Sequence, residues 1–105
     1  MERNSEQIIH TLMKDLINLL ASNDEDNWAS FFKQQQHKFF DLDSRTSAIE
    51  KILNCYKGGM GSFSDLVLHK NCEMLIEEND QLAELKNRLY NECLKLQKND
   101  KQRQW

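Results

Sequence analysis

Glycine is the first residue type in this chain that could support chemistry. All three glycines, Gly58, Gly59 and Gly61, fall within one four-residue window, and Ser62 follows directly. Successive backbone amides ahead of a helix bind phosphate well. However, the window lacks the Gly-Lys-Ser/Thr ending of a phosphate loop, and it follows a helical pattern instead of a strand. We therefore predict a structural turn at these glycines, and no nucleotide or other small-molecule ligand.

Histidine and cysteine could supply metal ligands. His69 and Cys72 form an HxxC pair, but no second pair stands at ligand spacing. Cys55 and Cys93 fall on apolar helix faces, where cysteine behaves as a small buried hydrophobe. Three cysteines without a CxxC motif do not make a disulfide framework, and they indicate a reducing compartment. The sequence therefore predicts neither a metal site nor a cofactor.

General acid–base and nucleophilic chemistry have little support. The histidines are scattered along the chain, at His10, His37 and His69. Asp41 and Asp43 would point to opposite sides of an extended segment, and loop capping explains this pair better than catalysis does. An enzyme that uses Asp65 with His69 ranks last among three functional interpretations. We predict no catalytic residues and a protein that is not an enzyme.

Acidic side chains form the most distinctive pattern. Five acids and no Lys or Arg lie between Asn71 and Glu84, namely Glu73, Glu77, Glu78, Asp80 and Glu84. Helical spacing would put Glu73 one turn from Glu77, and would put Glu77, Asp80 and Glu84 on a common side. Like charges so placed repel by a few tenths of a kcal/mol per pair. A solvated helix face is one explanation, and a surface selected by a basic protein partner is the other.

The charge distribution extends this interpretation to the whole chain. Residues 1–94 carry 10 basic and 16 acidic side chains, whereas residues 95–105 carry 4 basic and 1 acidic. An acidic body disfavours direct contact with nucleic acid and favours a basic protein. The predicted partner-binding residues are Glu73, Glu77, Asp80, Glu84, Asp24, Asp26, Asp41 and Asp43.

Long helices must position these residues, because the chain contains no proline and few glycines. Apolar residues recur at three and four in most of the sequence. This spacing predicts helices over 5–21, over 24–36, from about 47 to 57, over a short stretch within 65–78, and over 80–98. We expect an all-α fold, a compact single-domain bundle of about five helices with the glycine-rich turn in its middle. The helical domain would span residues 1–98, and residues 99–105 would form a frayed basic tail.

Candidate caps mark the boundaries of these helices. Ser22 to Glu25 fits a capping box for the second helix, and Ser47 with Glu50 fits one for the third, with Ser44 or Asp43 as alternatives. Gly58 fits a C-cap of the third helix. Ser62 or Ser64 would cap the short helical stretch, in which the apolar run of residues 66–68 also suits a buried strand. Asn79 would cap the last helix.

Aromatic residues are concentrated in the second helix and after the glycines. Trp28, Phe31 and Phe32 are expected to pack in the core. Met60 and Phe63 would also fill the core, from either side of the glycine-rich turn. If Trp28, Phe31 and Phe32 were exposed instead, they would favour a self-associating helical regulatory or structural module. That module is the alternative function.

Membrane association finds no support. The chain has no run of about 18 apolar residues, and its first helix begins with Glu2 and Glu6 instead of a basic segment. We expect neither a membrane span nor a signal peptide, and a cytoplasmic location.

A family resemblance adds to this interpretation. Trp28-Ala29, followed 30 residues after Trp28 by Gly-Gly-Met-Gly-Ser-Phe-x-Asp-Leu-Val-Leu, resembles the signature of a family of small helical bacterial proteins. Gly58 to Phe63 and Asp65 to Leu68 match the motif, and Ser64 stands at a variable position where asparagine is expected. The resemblance covers roughly residues 8–96. It is specific for the fold and implies no assigned chemistry.

Small acidic proteins of this kind resemble the immunity proteins of contact-dependent growth inhibition systems. The toxins of those systems are often basic nucleases. The resemblance implies an immunity protein, or antitoxin, that occludes the active site of a cognate bacterial toxin such as an RNase. It agrees with a compact acidic domain that shows no catalytic constellation.

Overall fold

Four amphipathic helices account for most of the chain in the computed structural model, which describes residues 5–39, 41–57, 61–70 and 73–102. Their bounds are α1 Ser5–Ser22, α2 Asp26–Phe39, α3 Leu42–Cys55 and α4 Ile76–Gln102. The all-α prediction is confirmed. The described residues contain four α-helices where about five were expected, because the stretch after the glycines forms a short 3-10 turn and a two-stranded hairpin.

The core lies where the apolar stripes of the four helices meet. Helix α1 packs against both α2 and α4, and α3 packs against the same two helices. The stripe of α1 is completely buried at Ile9, Met13, Leu16 and Leu20. The stripe predicted for the last helix is also buried, with the members Leu82, Leu85, Leu89, Cys93 and Leu96. This packing fixes which face of α4 points to solvent.

The connection between α1 and α2 differs from the predicted capping box. Asp24 adopts a left-handed backbone with φ of 64°. The Glu25 amide donates to the Leu20 carbonyl at 2.9 Å, and the Asp24 amide donates to the Ala21 carbonyl at 3.4 Å. These two bonds form a Schellman motif, which ends α1 and satisfies its last carbonyls. Asp24 therefore terminates the first helix, and α2 begins at Asp26 instead of residue 24.

The connection between α2 and α3 contains the N-cap of α3, at one of the two aspartates that were predicted as loop caps. Asp41 is the N-cap of α3, and its carboxylate accepts from the Asp43 amide at 3.0 Å. Ser44 donates to the Lys38 carbonyl at 2.7 Å and so ties the corner to α2. The predicted caps at Ser47, Ser44 and Asp43 are wrong, because α3 already begins at Leu42.

The stretch after Gly61 forms two short elements instead of a helix. A 3-10 turn spans Phe63–Asp65, and an antiparallel hairpin pairs β1 His69–Lys70 with β2 Glu73–Met74. The Leu75 amide donates to the Leu68 carbonyl at 3.1 Å and extends this pairing by one step. Leu68 is completely buried, whereas both strands are exposed. The short helix predicted within 65–78 is wrong. Burial in this stretch alternates with the period of a strand, since Val67 is exposed and Leu68 is buried.

Helix α4 begins at Ile76 and continues to Gln102, so it is longer than the predicted 80–98 at both ends. Asn79 lies in its first turn and is not its N-cap. The Asn79 side chain accepts from the Leu68 amide at 2.7 Å, and donates to the carbonyls of Leu68 at 2.9 Å and Leu75 at 2.8 Å. We call this arrangement the Asn79 clamp, and it fastens the segment before β1 to the start of α4.

None of the described helices is both long enough and apolar enough to cross a bilayer.

Candidate functional site

An aromatic cluster occupies one end of the bundle, and Phe63 lies at its centre. The Phe63 ring is completely buried, with its centroid 5.0 Å from Trp28, 4.8 Å from Phe32 and 5.2 Å from Tyr56. Phe63 fills the core as predicted. Phe32 is also completely buried, whereas Trp28 and Phe31 are half-buried against the core. Self-association through α2 would require its aromatic residues to be exposed, and Phe32 is not exposed.

Lys86 of α4 holds the backbone of this segment in place. Its ammonium group lies 5.2 Å from the Phe63 ring centroid and donates to the Leu66 carbonyl at 2.8 Å. Burial lowers the pKa of Lys86, and the charge of Asp65 acts in the opposite direction. One residue therefore provides a cation–π contact and a hydrogen bond to the same turn.

A groove of about 410 Å³ opens in front of this cluster. We call it the Trp28 groove, and it is lined by Trp28, Gly61, Ser62, Asp65, Leu66, Val67 and His69. Two parts of the chain that are distant in sequence meet here: the first turn of α2, and the segment from the end of the glycine window to the start of the hairpin. The glycine window therefore lies beside a concave surface.

Gly61 has the backbone that the glycine window predicted. Its φ is +87°, a conformation that L side chains rarely adopt, and no atom lies within 4 Å of the position that a Cβ would take. Open space surrounds this position, so the glycine is needed for its dihedral angle and not for close packing. The predictions for Gly58, Gly59 and Met60 concern residues outside the described part of the chain.

Asp65 and His69 both line the groove, which gives the enzyme interpretation its only geometric support. Both side chains are exposed. Among the hydrogen bonds of the described residues, none joins Asp65 to His69. A general acid or base needs such a positioned partner, so this pair offers proximity without an oriented proton path.

Three acids of α4 face away from the core. Glu77, Asp80 and Glu84 lie on the side of the helix opposite the stripe that begins at Leu82 and Leu85, and all three are exposed. Arg88 approaches Glu84 at 4.0 Å, in an exposed pair one turn apart. We call Glu77, Asp80 and Glu84 the α4 acidic face.

Glu73 does not continue this face as a helical neighbour. It lies on β2, so the predicted spacing of one helical turn between Glu73 and Glu77 is wrong. Its side chain is exposed, and it precedes the start of α4 by only three residues. Glu73 therefore stays near the α4 acidic face by chain connectivity.

The remaining predicted acids are divided between the two ends of the bundle. Ser22 at the end of α1 shares a shallow groove with Gln81 of α4, so Asp24 and Asp26 lie at the end that carries the α4 acidic face. At the other end, Arg45 near the start of α3 forms a salt bridge with Glu6 near the start of α1 at 2.5 Å. Asp41 and Asp43 lie at that second end of the bundle. The two ends are about 20 Å apart, because the 14-residue helix α2 runs from one to the other.

The cysteines behave as buried thiols in the described part of the chain. Burial raises the pKa of Cys93 to about 12 and that of Cys55 to about 12. A thiol held neutral in this way is a poor nucleophile and a poor metal ligand. No group of three or more potential ligands that could hold a metal ion occurs among the described residues, and Cys72 lies outside them.

Several residues that shape this end of the molecule were not predicted as site residues. They are Lys86, Tyr56, the exposed apolar side chains of Met74 and Ile76, and Asn79, which was predicted only as a helix cap. Tyr56 donates its hydroxyl to the Lys86 carbonyl at 2.9 Å, between residues 30 positions apart. Only the exposed apolar pair had a signal in the sequence, because Met74 and Ile76 belong to an apolar run, Met74-Leu75-Ile76, that is flanked by Glu73 and Glu77.

Comparison with known proteins gives a family. The sequence profile of a domain of unknown function, DUF6966, matches residues 21–76, just over half of the chain. The chain belongs to the DUF6966 family. No curated protein and no solved structure matches it. The DUF6966 segment contains all the residues that line the Trp28 groove and the hairpin, whereas the α4 acidic face follows it in the chain.

Proposed function

We propose that this protein is an immunity protein that binds a cognate bacterial toxin and blocks it by occluding its active site. The partner would be a basic nuclease, such as an RNase. The single observation that carries the proposal is the α4 acidic face, whose three acids are exposed and point away from the core. A basic active-site cleft is complementary to such a surface.

Stability alone gives a competing explanation for part of this face. Acids near the start of a helix interact favourably with its dipole, and Glu77 lies in the first turn of α4. That effect falls off within the first turn, whereas Glu84 lies two turns along. The dipole therefore explains Glu77, the pair with Arg88 explains part of Glu84, and Asp80 is left to another cause.

Acids at both ends of the bundle do not form one contact surface. Asp41 caps α3, and Asp43 lies beside it at the far end of α2. Asp24 and Asp26 lie at the same end as the α4 acidic face. The proposed surface therefore combines the α4 acidic face with Glu73, Asp24 and Asp26, while Asp41 has a structural role.

Electrostatic steering gives this proposal a kinetic signature. An acidic surface attracts a basic partner over about 10 Å at moderate salt, and this range shrinks as salt rises. We expect rapid association that slows when salt is raised, with a smaller change in the dissociation rate. The contact should protect cells by stoichiometric binding and not by turnover.

The test uses the product of the open reading frame directly upstream of this gene as the candidate toxin, purified after co-expression. The variant Asp80→Lys/Glu84→Lys should fold normally, bind the toxin at least tenfold more weakly and fail to protect cells that express it. The control is Asp43→Lys/Glu50→Lys, which makes the same change in net charge at exposed positions of α3. If the first variant binds the toxin as tightly as the wild type does, the α4 acidic face is not part of the contact. A wild type that neither binds nor protects would refute the immunity function.

A further inference from the structure

An exposed apolar surface lies next to the Trp28 groove. Met74 is 59% exposed and Ile76 is 72% exposed, the largest values among the exposed large hydrophobic residues. Val67 is 38% exposed and lines the groove itself. Soluble proteins expose single apolar residues routinely, but a contiguous group of them at one place marks an interaction surface.

The hairpin register makes these side chains neighbours. His69 is paired with Met74 across the two strands, and the Leu68–Leu75 hydrogen bond continues the ladder by one step. Alternation along a strand then places Val67 and Met74 on the side opposite the buried Leu68. Ile76 follows two residues after Met74. We call Val67, His69, Met74 and Ile76 the hairpin outer face.

Acidic residues surround the hairpin outer face. Between residues 61 and 84 the chain has six acids and one lysine, Lys70. Asp65 lines the adjoining groove, Glu73 precedes Met74, and Asp80 lies one turn after Ile76 on the same side of α4. An apolar centre with a charged rim is the usual anatomy of a protein interface.

We propose that the hairpin outer face and the Trp28 groove form the centre of the partner contact, and that they receive an apolar side chain of the partner flanked by Lys or Arg. This inference rests on the proposed function, because it takes the basic toxin as the partner. The acidic rim would pair with the flanking basic residues and orient the apolar side chain. The α4 acidic face would then steer the approach from one side.

A second copy of this chain fits the same surface poorly. A symmetric dimer would place Asp65, Glu73 and Asp80 against the same residues of the other copy. Like charges so opposed weaken association, and two lysines near this surface, Lys70 and Lys86, do not offset six acids. Charge complementarity therefore favours a basic partner over self-association.

The first experiment measures toxin binding by uncharged variants. Met74→Gln and Ile76→Thr keep the size of each side chain close to the original and add no charge, so they change apolar contact without changing electrostatic attraction. The double variant should bind the toxin at least tenfold more weakly, mainly through faster dissociation. Leu94→Gln is the matched control, because Leu94 is 39% exposed on α4 and lies more than four turns after Ile76. It should bind as the wild type does.

The second experiment does not depend on the toxin. A short peptide of alternating Arg and Leu is titrated into the labelled wild-type protein, and its Glu and Leu counterpart serves as the control. Amide NMR signals from residues 61–70 and 73–76 should move with the Arg peptide, and the double variant should lose this response.

The outcomes separate the two proposals. Normal toxin binding by the double variant overturns the hairpin contact and leaves the immunity function standing. If the wild type does not bind the toxin, the immunity function fails, and the peptide titration decides whether the surface still takes a basic, apolar ligand. An absence of shifts at the hairpin, or self-association of the wild type that the double variant abolishes, overturns the inference.

Discussion

Replacing Asn79 should destabilise the protein by an amount that a helix cap cannot explain. Its side chain makes three hydrogen bonds to two backbone segments, at distances of 2.7, 2.9 and 2.8 Å. Each such bond contributes about 1 kcal/mol net, and a partly buried amide left without a partner costs about 1–3 kcal/mol. The Leu68 carbonyl would keep its bond from the Leu75 amide. We therefore expect Asn79→Ala to lower the free energy of unfolding by about 2–4 kcal/mol.

Asn79→Asp distinguishes the clamp from a cap. Aspartate is as good an N-cap as asparagine, so a capping role predicts a change near zero. In the clamp, a carboxylate would still accept from the Leu68 amide, but it would face the carbonyls of Leu68 and Leu75 without a proton to donate. We expect Asn79→Asp to cost about as much as Asn79→Ala at neutral pH. Protonation of the new carboxylate restores one donor, so this variant should recover part of its stability as the pH falls.

Urea and thermal unfolding, followed by circular dichroism, measure these changes. For a domain of this size, a loss of 2–4 kcal/mol corresponds to a decrease in Tm of more than about 8 °C. Asn23→Ala provides a comparison, because the Asn23 amide makes one bond, to the Leu19 carbonyl at 2.8 Å. It should cost about 1 kcal/mol. If Asn79→Asp unfolds within about 0.5 kcal/mol of the wild type, the Asn79 clamp does not stabilise the fold.

Two further perturbations test the turn and the core. Gly61→Val should lower the free energy of unfolding by more than about 1 kcal/mol, because the φ of this residue is +87° and a β-branched residue is strained there. Gly61→Asn should cost less, since asparagine tolerates this conformation better. Equal melting curves for the wild type and Gly61→Val would contradict this expectation. The buried Cys93 thiol has a pKa of about 12 against an ordinary value of 9.0, so only the unfolded state loses its proton as the pH rises above 9. Stability should therefore fall by up to about 1.4 kcal/mol per pH unit for this group between pH 9 and 12, and Cys93→Ala should reduce that slope in urea unfolding measured across this range. An unchanged slope would show that Cys93 ionises as easily in the folded state as in the unfolded one.

Long amphipathic segments were predictable because their period is repeated many times. The α1 stripe and the stripe from Leu82 to Leu96 follow the spacing of a helix for several turns, and both are buried. Helix ends were less predictable, since a cap depends on one or two residues. Ser22 to Glu25 satisfies the pattern of a capping box and also that of a helix end with Asp24 in the left-handed conformation. Tertiary packing of α2 decides between them.

The hairpin and the groove could not be predicted, because their determinants lie far apart in sequence. Asn79 and Lys86 each bind the backbone of residues 64–68 from α4. These bonds, together with the burial of Leu68, compete with helix formation in a segment that has an acceptable helical composition. The acids were visible in the sequence, but their division between the two ends of the bundle depends on the direction of each helix. Their role in binding a partner stays a prediction.

The packing of α1 against α4 also has a consequence during synthesis on the ribosome. These two helices are separated by the whole of α2, α3 and the hairpin, so their contact is the most distant in sequence among the helix pairs. Pairs of neighbouring helices can form while the chain emerges, but the apolar stripe of α1 lacks the cover that α4 gives it until α4 follows. A nascent chain that stops before residue 76 exposes an apolar strip of α1. Such a strip is the kind of surface that chaperones bind, and completion of α4 is the step that removes it.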